Sequence, residues 1–409
     1  MRILHVGYWY GFRRVGGAAV AAARLHNHLL DAGVESYFLC VMKKEEGRNV
    51  IEWPPRGTPV RGIRLLLAKA ERNVWRFSRH HRKIDLNVLP LGVARIVRDL
   101  RPDVVQVHGI GADTVRFEEL AALKVPVIIM THDFWPVNGF DPCPFADTRL
   151  FDGFTRGNSG WLERWLWNRK VALSRSPFVS YMAPSEWAAD VVRRSVCGQG
   201  KRVDVMRCFI GDEFRFRPEK RGVHDKFRIV FGGDHGMSSP FKGFDDLKDA
   251  LALLPVEVQH ESELLVFGDT GEDFRIGDIH VRVLGVMDGS QALVDAYHQG
   301  DVLAFPSKTE TQGMVKIEAM LCGLPVVAFD RTACAESVVP RQTGWVAADG
   351  DVKGFADGIR FYFDEWKAGR LEATRQSIHD CVAAEYGDNQ VLEQALVVYS
   401  EVVRTGRAK

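Results

Sequence analysis

The sequence has no run of about 18 uninterrupted apolar residues, so no segment is expected to cross a bilayer as a helix. Its opening residues, MRILHVGYWYG, lack the long apolar core and small-residue cleavage site of a secretory leader. The seven cysteines (Cys40, Cys143, Cys197, Cys208, Cys322, Cys334 and Cys381) include no C-x-x-C pair, and their number is odd. That excludes a disulfide framework or a zinc ribbon and fits a reducing compartment, so a cytoplasmic location is expected. Net charge is nearly absent as well. Against 54 Lys and Arg stand 53 Asp and Glu, which leaves +1 and argues against a nucleic-acid partner. There is no internal repeat, no low-complexity tract and no G-x-G-x-x-G, the last of which disfavours a nicotinamide dehydrogenase. Apolar residues are not scarce. At 46% hydrophobic and 26% charged, the 409 residues suit a folded chain of several domains rather than a disordered one.

The neutral total hides an asymmetry. Residues 1–200 carry 29 basic and 19 acidic side chains, whereas residues 201–409 carry 25 and 34. Such a split suggests two domains with different partners. Both halves alternate short apolar runs with helical patterns, which predicts parallel sheets covered on both faces. RILHVGY (2–8), a glycine-containing loop and an Ala/Leu-rich helix (18–33) open the first half. FRIVFGG (227–233) and the amphipathic GFDDLKDALALLP (243–255) restart the pattern. The join is expected near 209–226. The domains expected are one at 1–210, a second at 211–385, and a C-terminal helix at 386–409 that crosses back to the first. Residues 61–83 carry eight basic residues and one acid. Ile63, Leu67, Ala70, Val74 and Phe77 fall on one helical face, with Lys69, Arg72, Arg76, Arg79 and Lys83 on the other. This pattern suits either a solvated face on a core-packed helix or an anionic membrane contact.

The densest chemistry lies in FPSKTETQGMVKIEAMLCGLPVVAFD (305–330). A strand ends at Phe305 and a helix begins near Gly313. Glu310 precedes that helix, and Glu318 lies in its second turn, so both carboxylates can face one pocket at different depths. The helix start offers unpaired N–H groups and partial positive charge, which suit a diphosphate. Its first residues are Gly313, Met314 and Val315. Lys242 stands in DHGMSSPFKGF between a strand and a helix, with Ser238 and Ser239 just before it. His132 ends a strand in IIMTHDFW. Gly16 and Gly17 precede a helix start.

P-S-x-x-E-x(7)-E-A-M-x-x-G-x-P-V-V-A resembles the signature of the family 4 retaining glycosyltransferases of GT-B fold, bacterial polysaccharide type. HDFW (132–135) resembles that family's His-bearing loop, APSEW (183–187) its A-x-S segment, and Lys242-Gly243 its phosphate-binding pair. The resemblance implies an α/β GT-B fold, two doubly wound Rossmann-like domains facing across a cleft. It implies transfer of a sugar from a nucleoside diphosphate sugar, with retention, to a glycan or lipid-linked glycan. It also implies that no metal or other cofactor is needed, and the sequence shows no D-x-D in a loop placed for one. By resemblance Glu310 lies beside the donor sugar and Glu318 binds the ribose. Lys242, Gly313, Met314, Val315, Gly16 and Gly17 serve the phosphates or acceptor, and His132 contacts sugar hydroxyls. Asp133 is either a site residue or a cap, and Trp135 either stacks on sugar or packs. His108 and Glu336 are weaker candidates. Ser238 and Ser239 occupy positions where relatives often carry a basic residue. Two rival readings are a nucleotide-sugar epimerase of the same fold and a catalytically silent nucleotide-sugar-binding protein. The expected place of action is the cytoplasm, including peripherally at the inner face of the membrane.

Overall fold

The computed structural model describes residues 1–12, 16–71, 85–110, 114–138, 161–220, 222 and 224–406. The chain forms two compact units, one of Met1–Cys208 with Val391–Lys409 and the other of Phe209–Gln390.

The first unit is built on strands β1 (Arg2–Tyr10), β2 (Glu35–Lys43), β3 (Val50–Glu52), β4 (Val104–His108), β5 (Val127–Met130), β6 (Val179–Ala183) and β7 (Val203–Val205). Their order is β3-β2-β1-β4-β5-β6-β7, and every neighbouring pair is parallel. Strands β4, β5 and β6 are buried along their whole length, which is why they read as continuous apolar runs. Helices α1 (Gly17–Asp31), α2 (Pro59–Glu71), α3 (Val93–Leu100), α4 (Phe117–Ala121), α5 (Trp161–Ser174) and α6 (Glu186–Arg194) complete it. Ser185, in the APSEW segment, has a structural role here. Its Oγ accepts from the Ala188 N–H at 3.0 Å and caps α6, a contact worth about 1 kcal/mol.

The second unit holds β8 (Phe227–Gly232), α7 (Phe244–Ala252), α8 (Val256–His260), β9 (Ser262–Phe267), β10 (Phe274–Ile276), β11 (Ile279–Gly285), α9 (Ser290–Gln299), β12 (Val302–Phe305), α10 (Met314–Leu321), β13 (Val326–Asp330), β14 (Gly344–Ala348), α11 (Val352–Lys367) and α12 (Leu371–Tyr386). Its sheet runs β10-β11-β9-β8-β12-β13-β14, parallel except for the edge pair β10–β11. The last helix, α13 (Asp388–Gly406), packs on the first unit. There the Tyr399 hydroxyl donates to Gln106 Oε1 of β4, and Arg202 meets Glu401 at 2.6 Å.

Strand order reverses between β1 and β4 in the first sheet and between β8 and β12 in the second. Open parallel sheets bind ligands outside the carboxyl ends of the strands at such switch points. In the first unit these are the loops after Tyr10 and His108, and in the second the loops after Gly232 and Phe305.

The basic segment departs from its pattern. The described helix ends at Glu71, and residues 72–83, with Arg72, Val74, Arg76, Phe77, Arg79 and Lys83, lie outside the described residues. Within α2 the apolar face is turned outward. Val60, Ile63, Leu66 and Leu67 are 48–68% exposed. Arg64 is buried instead, its guanidinium donating to the carbonyls of Pro90 and Thr114. The apolar face of this part of the helix is therefore not packed against the core. No helix among the described residues is long and apolar enough to cross a membrane.

Candidate functional site

On the second unit, the β8 and β12 loops bring two of the sequence candidates into contact. Lys242 Nζ donates to Glu310 Oε1 at 2.7 Å, although 68 residues separate them. The loops are pinned by the Lys308 N–H, which donates to the Phe241 carbonyl at 2.7 Å. Gly243 caps α7 with φ 73°, and a Cβ there would stand 2.1 Å from the Pro306 carbonyl oxygen. Only glycine allows both that backbone turn and the close approach that carries Lys242 to Glu310.

Glu310 is also fixed through its backbone. Its N–H donates to Thr332 Oγ1 at 3.1 Å in the loop after β13. Gly313 then opens α10 with φ 80° and no side-chain cap. The first N–H groups of α10, at Met314 and Val315, thus start four residues beyond Glu310. Glu318, in the second turn, is 6% exposed, and Tyr297 donates to its Oε2 at 2.9 Å. Burial, then the adjacent carboxylate, raise the Tyr297 hydroxyl well above its ordinary value, so it stays a donor. Ser238 is exposed and Ser239 half-buried. Their side chains bond within the loop itself, Ser238 Oγ donating to the His235 carbonyl at 3.4 Å and Ser239 Oγ accepting from the Phe241 N–H at 3.4 Å.

Lys316 was missed as a candidate. It is fully buried, and its Nζ donates to the carbonyls of Ala333, Cys334 and Glu336 at 2.8, 3.1 and 2.5 Å. Burial lowers this ammonium to about 8. The lysine therefore moors the loop holding Glu336 and Thr332 to α10, and Thr332 in turn holds Glu310. The signal was available: a charged residue inside MVKIEAML, a helix apolar all round, has no wet face to occupy.

On the first unit, Gly16 caps α1 in an extended conformation, with open space around its Cα, and Gly17 is the helix's first residue. Residues 13–15 before them lie outside the described residues. His132 follows β5, half-buried, and burial lowers it to about 4. Two more histidines meet it from neighbouring strands. His108 Nδ1 lies 3.1 Å from His132 Nε2, and His5 Nδ1 lies 3.0 Å from His108 Nε2. Asp133 Oδ1 accepts from the Trp135 N–H at 3.0 Å, the local turn that an Asp after a strand commonly makes. Burial raises that carboxyl to about 6. Trp135 is settled as packing. It is 3% exposed, sits in the sheet's core cluster, and has Lys170 Nζ 3.5 Å above its ring. Lys170 also donates to the Trp135 and Asn138 carbonyls at 2.6 and 2.9 Å.

Two doubly wound sheets, with polar side chains gathered where the strand order reverses, define the protein as a two-domain α/β protein of GT-B type. Comparison with known proteins agrees. Residues 15–214 match the model for Glycosyltransferase Family 4, and residues 226–365 that for Glycosyl transferases group 1. The chain belongs to glycosyltransferase family 4. It is 29% identical over 208 residues to the D-inositol 3-phosphate glycosyltransferase of Mycolicibacterium smegmatis, covering 46% of each chain. It is 24% identical over 302 residues to a sulfoquinovosyl transferase of Arabidopsis thaliana, covering 69% of this chain and 54% of that one. The chain thus spans about half the length of the curated relatives it matches. Among solved structures, sucrose-phosphate synthase from Thermosynechococcus elongatus superposes with TM-score 0.69 at 16% identity, covering 99% of this chain and 100% of that one. Anabaena HepE in complex with UDP-glucose superposes with TM-score 0.61 at 17% identity, covering 98% and 100%. These two share the fold.

Proposed function

We propose that the protein is a retaining, metal-independent glycosyltransferase. It moves a sugar from a nucleoside diphosphate sugar to a hydroxyl of a glycan or lipid-linked glycan. The observation that carries this reading is the meeting of Lys242 with Glu310 at the β8–β12 switch point, four residues before the uncapped start of α10. A relative's name, inositol-phosphate glycosyltransferase, and a neighbour solved with UDP-glucose support it.

In this reading the donor's diphosphate takes Lys242, the N–H groups of Gly313, Met314 and Val315, and the hydroxyls of Ser238 and Ser239. Glu318 accepts from the ribose hydroxyls, and Glu310 lies against the transferring sugar. His132 holds sugar hydroxyls, with Asp133 and Glu336 as further contacts. Gly16 and Gly17 let the acceptor side approach α1. As the bond from C1 to the diphosphate oxygen breaks, Lys242 and the α10 dipole stabilise the charge on the leaving group. The acceptor oxygen bonds to C1 on the same face, and its proton passes to the departing diphosphate.

The test is a thermal-shift panel of nucleotide sugars, followed by a transfer assay with the best ligand. A ligand at about 100 times its Kd adds about 2.7 kcal/mol and raises the unfolding temperature. If no nucleoside diphosphate or its sugars shift the transition at millimolar concentration, the reading fails.

Three expected results follow from it. Glu318→Gln should weaken nucleoside diphosphate binding by about 10–150-fold, the worth of one charge-assisted hydrogen bond, as read by calorimetry. Unchanged affinity would remove Glu318 from the ribose. Transfer should continue in excess EDTA, because a lysine and a helix start serve the diphosphate. Loss of activity on chelation, restored by Mg²⁺ or Mn²⁺, would refute this. The third result concerns the membrane. The apolar face exposed on α2 and the basic residues of 61–83 support contact with an anionic bilayer, each basic side chain near the surface adding about 1 kcal/mol. The full chain should co-sediment with phosphatidylserine-containing vesicles, less so in high salt, and charge reversal at Arg72, Arg76 and Arg79 should abolish it. Equal sedimentation with neutral vesicles would leave the segment as ordinary surface.

A further inference from the structure

His5, His108 and His132 form a continuous file of imidazoles across three adjacent strands. His5 lies in β1, His108 is the last residue of β4, and His132 stands two residues past β5. The joining distances, 3.0 and 3.1 Å, are hydrogen bonds from nitrogen to nitrogen. The rings of His108 and His132 also stack, with centroids 5.4 Å apart.

A neutral imidazole has one donor nitrogen and one acceptor nitrogen. Along such a file the proton positions are therefore locked together, and only two arrangements exist. In one, every ring carries its proton on Nδ1. His5 Nδ1 then donates to His108, His108 Nδ1 donates to His132, and His5 Nε2 keeps a bare lone pair. In the other, every ring carries its proton on Nε2, and His5 Nε2 holds an N–H.

The end of the file decides between them. His5 is fully buried, and among the described residues its Nε2 has no partner. His26, whose ring meets His5 edge-on, is committed elsewhere. Its Nε2 faces the Arg48 carbonyl at 2.8 Å, which can only accept, so its Nδ1 takes the hydroxyl proton of Ser36 at 2.7 Å. A buried N–H left without an acceptor is rarer and costlier than a lone pair left without a donor. The first arrangement is the cheaper one. Burial keeps all three rings neutral at ordinary pH, lowering His5 and His108 well below their usual value and His132 to about 4.

We propose that His5 and His108 are positioning residues that hold His132 with its proton on Nδ1, so that His132 offers substrate a hydrogen-bond donor and not a base. Cys208 Sγ lies 4.0 Å from that nitrogen. A fixed donor suits a ring oxygen or hydroxyl oxygen of a sugar. The proposal rests on His132 as a substrate contact, but the tautomer itself is read without substrate.

The experiment uses the full chain, ligand-free, labelled with ¹⁵N-histidine. Long-range ¹H–¹⁵N correlation at pH 7.5 distinguishes Nδ1–H from Nε2–H, and His5→Asn, His108→Asn and His132→Asn assign the signals. The expected result is Nδ1–H at His5, His108 and His132. Nε2–H at His132 overturns the proposal. In His108→Phe the His132 signal should change tautomer or exchange between the two. That variant's kcat should fall roughly 10–100-fold, the range seen when a partner orienting a histidine ligand is removed, with KM for the donor less affected. A His132 tautomer and kcat both unchanged in His108→Phe also overturn it. Wild-type turnover in His132→Ala would instead refute the substrate assignment and leave the tautomer result standing.

Discussion

Glu310→Ala is expected to lower sugar transfer by about 10²–10³-fold while the protein remains folded. The carboxylate lies in a loop at the switch point, with its side chain 15% exposed and its partner Lys242 23% exposed. Removing it deletes one ion pair near the surface, which costs stability little. Its backbone bond to Thr332 survives, so the loop keeps its course. Under the proposed function, what is lost is a negative group beside the reacting carbon, together with the partner that orients the Lys242 ammonium. An effect confined to the transition state should lower kcat and kcat/KM alike, with donor affinity nearly unchanged. The checks are initial rates on the purified variant and its thermal midpoint beside wild type. Wild-type turnover, or a midpoint lowered by more than about 8 °C, would contradict this account.

Mild acid should open the first unit before the second. Burial lowers His26 to about 4, where an unfolded histidine titrates near 6.5. Burial also lowers His5 and His108 well below that value, and His132 to about 4. Between those values the unfolded chain binds more protons than the folded one, so stability falls as pH falls. At pH 5 the fully buried His26 alone withdraws about 2 kcal/mol relative to pH 8. The three coupled rings add to that loss. All four belong to the first unit; in the second, burial lowers His298. Hydrogen exchange followed by mass spectrometry from pH 7.5 to 4.5 should show β1, β4 and β5 losing protection first, while β8 and β12 hold. Simultaneous loss in both units would overturn the prediction.

The features that could be read in advance are those written in contiguous residues. Glu310 and Glu318 share one strand–loop–helix segment, and Lys242-Gly243 marks its own turn. The alternation of apolar runs and helices announces two parallel sheets. What escaped depends on strand order or on long closures. The contact of His5 with His108 requires β1 to lie beside β4, and no local pattern states that. The pairing of Lys242 with Glu310 requires β8 beside β12. Short strands such as β3 and β14 carry too few residues to show a period. No local pattern marks Tyr297 within α9, because its hydroxyl bond to Glu318 is a tertiary fact. The helical period of α2 was visible, but it does not say which face meets the core, and Arg64 took the buried place.

The placement of α13 has a consequence for how the chain is made. Residues 391–406 pack on the first unit, yet they leave the ribosome only after all of Phe209–Gln390. At about 5–20 residues per second, about 180 intervening residues impose a wait of roughly 10–40 s. Throughout that time Gln106, buried at the centre of the first sheet, is without the Tyr399 hydroxyl that it receives in the finished molecule. The first unit is thus begun first and completed last, and the second unit is released whole into the interval. A nascent chain stalled before residue 391 would carry one finished fold and one with its β4 seam still open to chaperones or proteases.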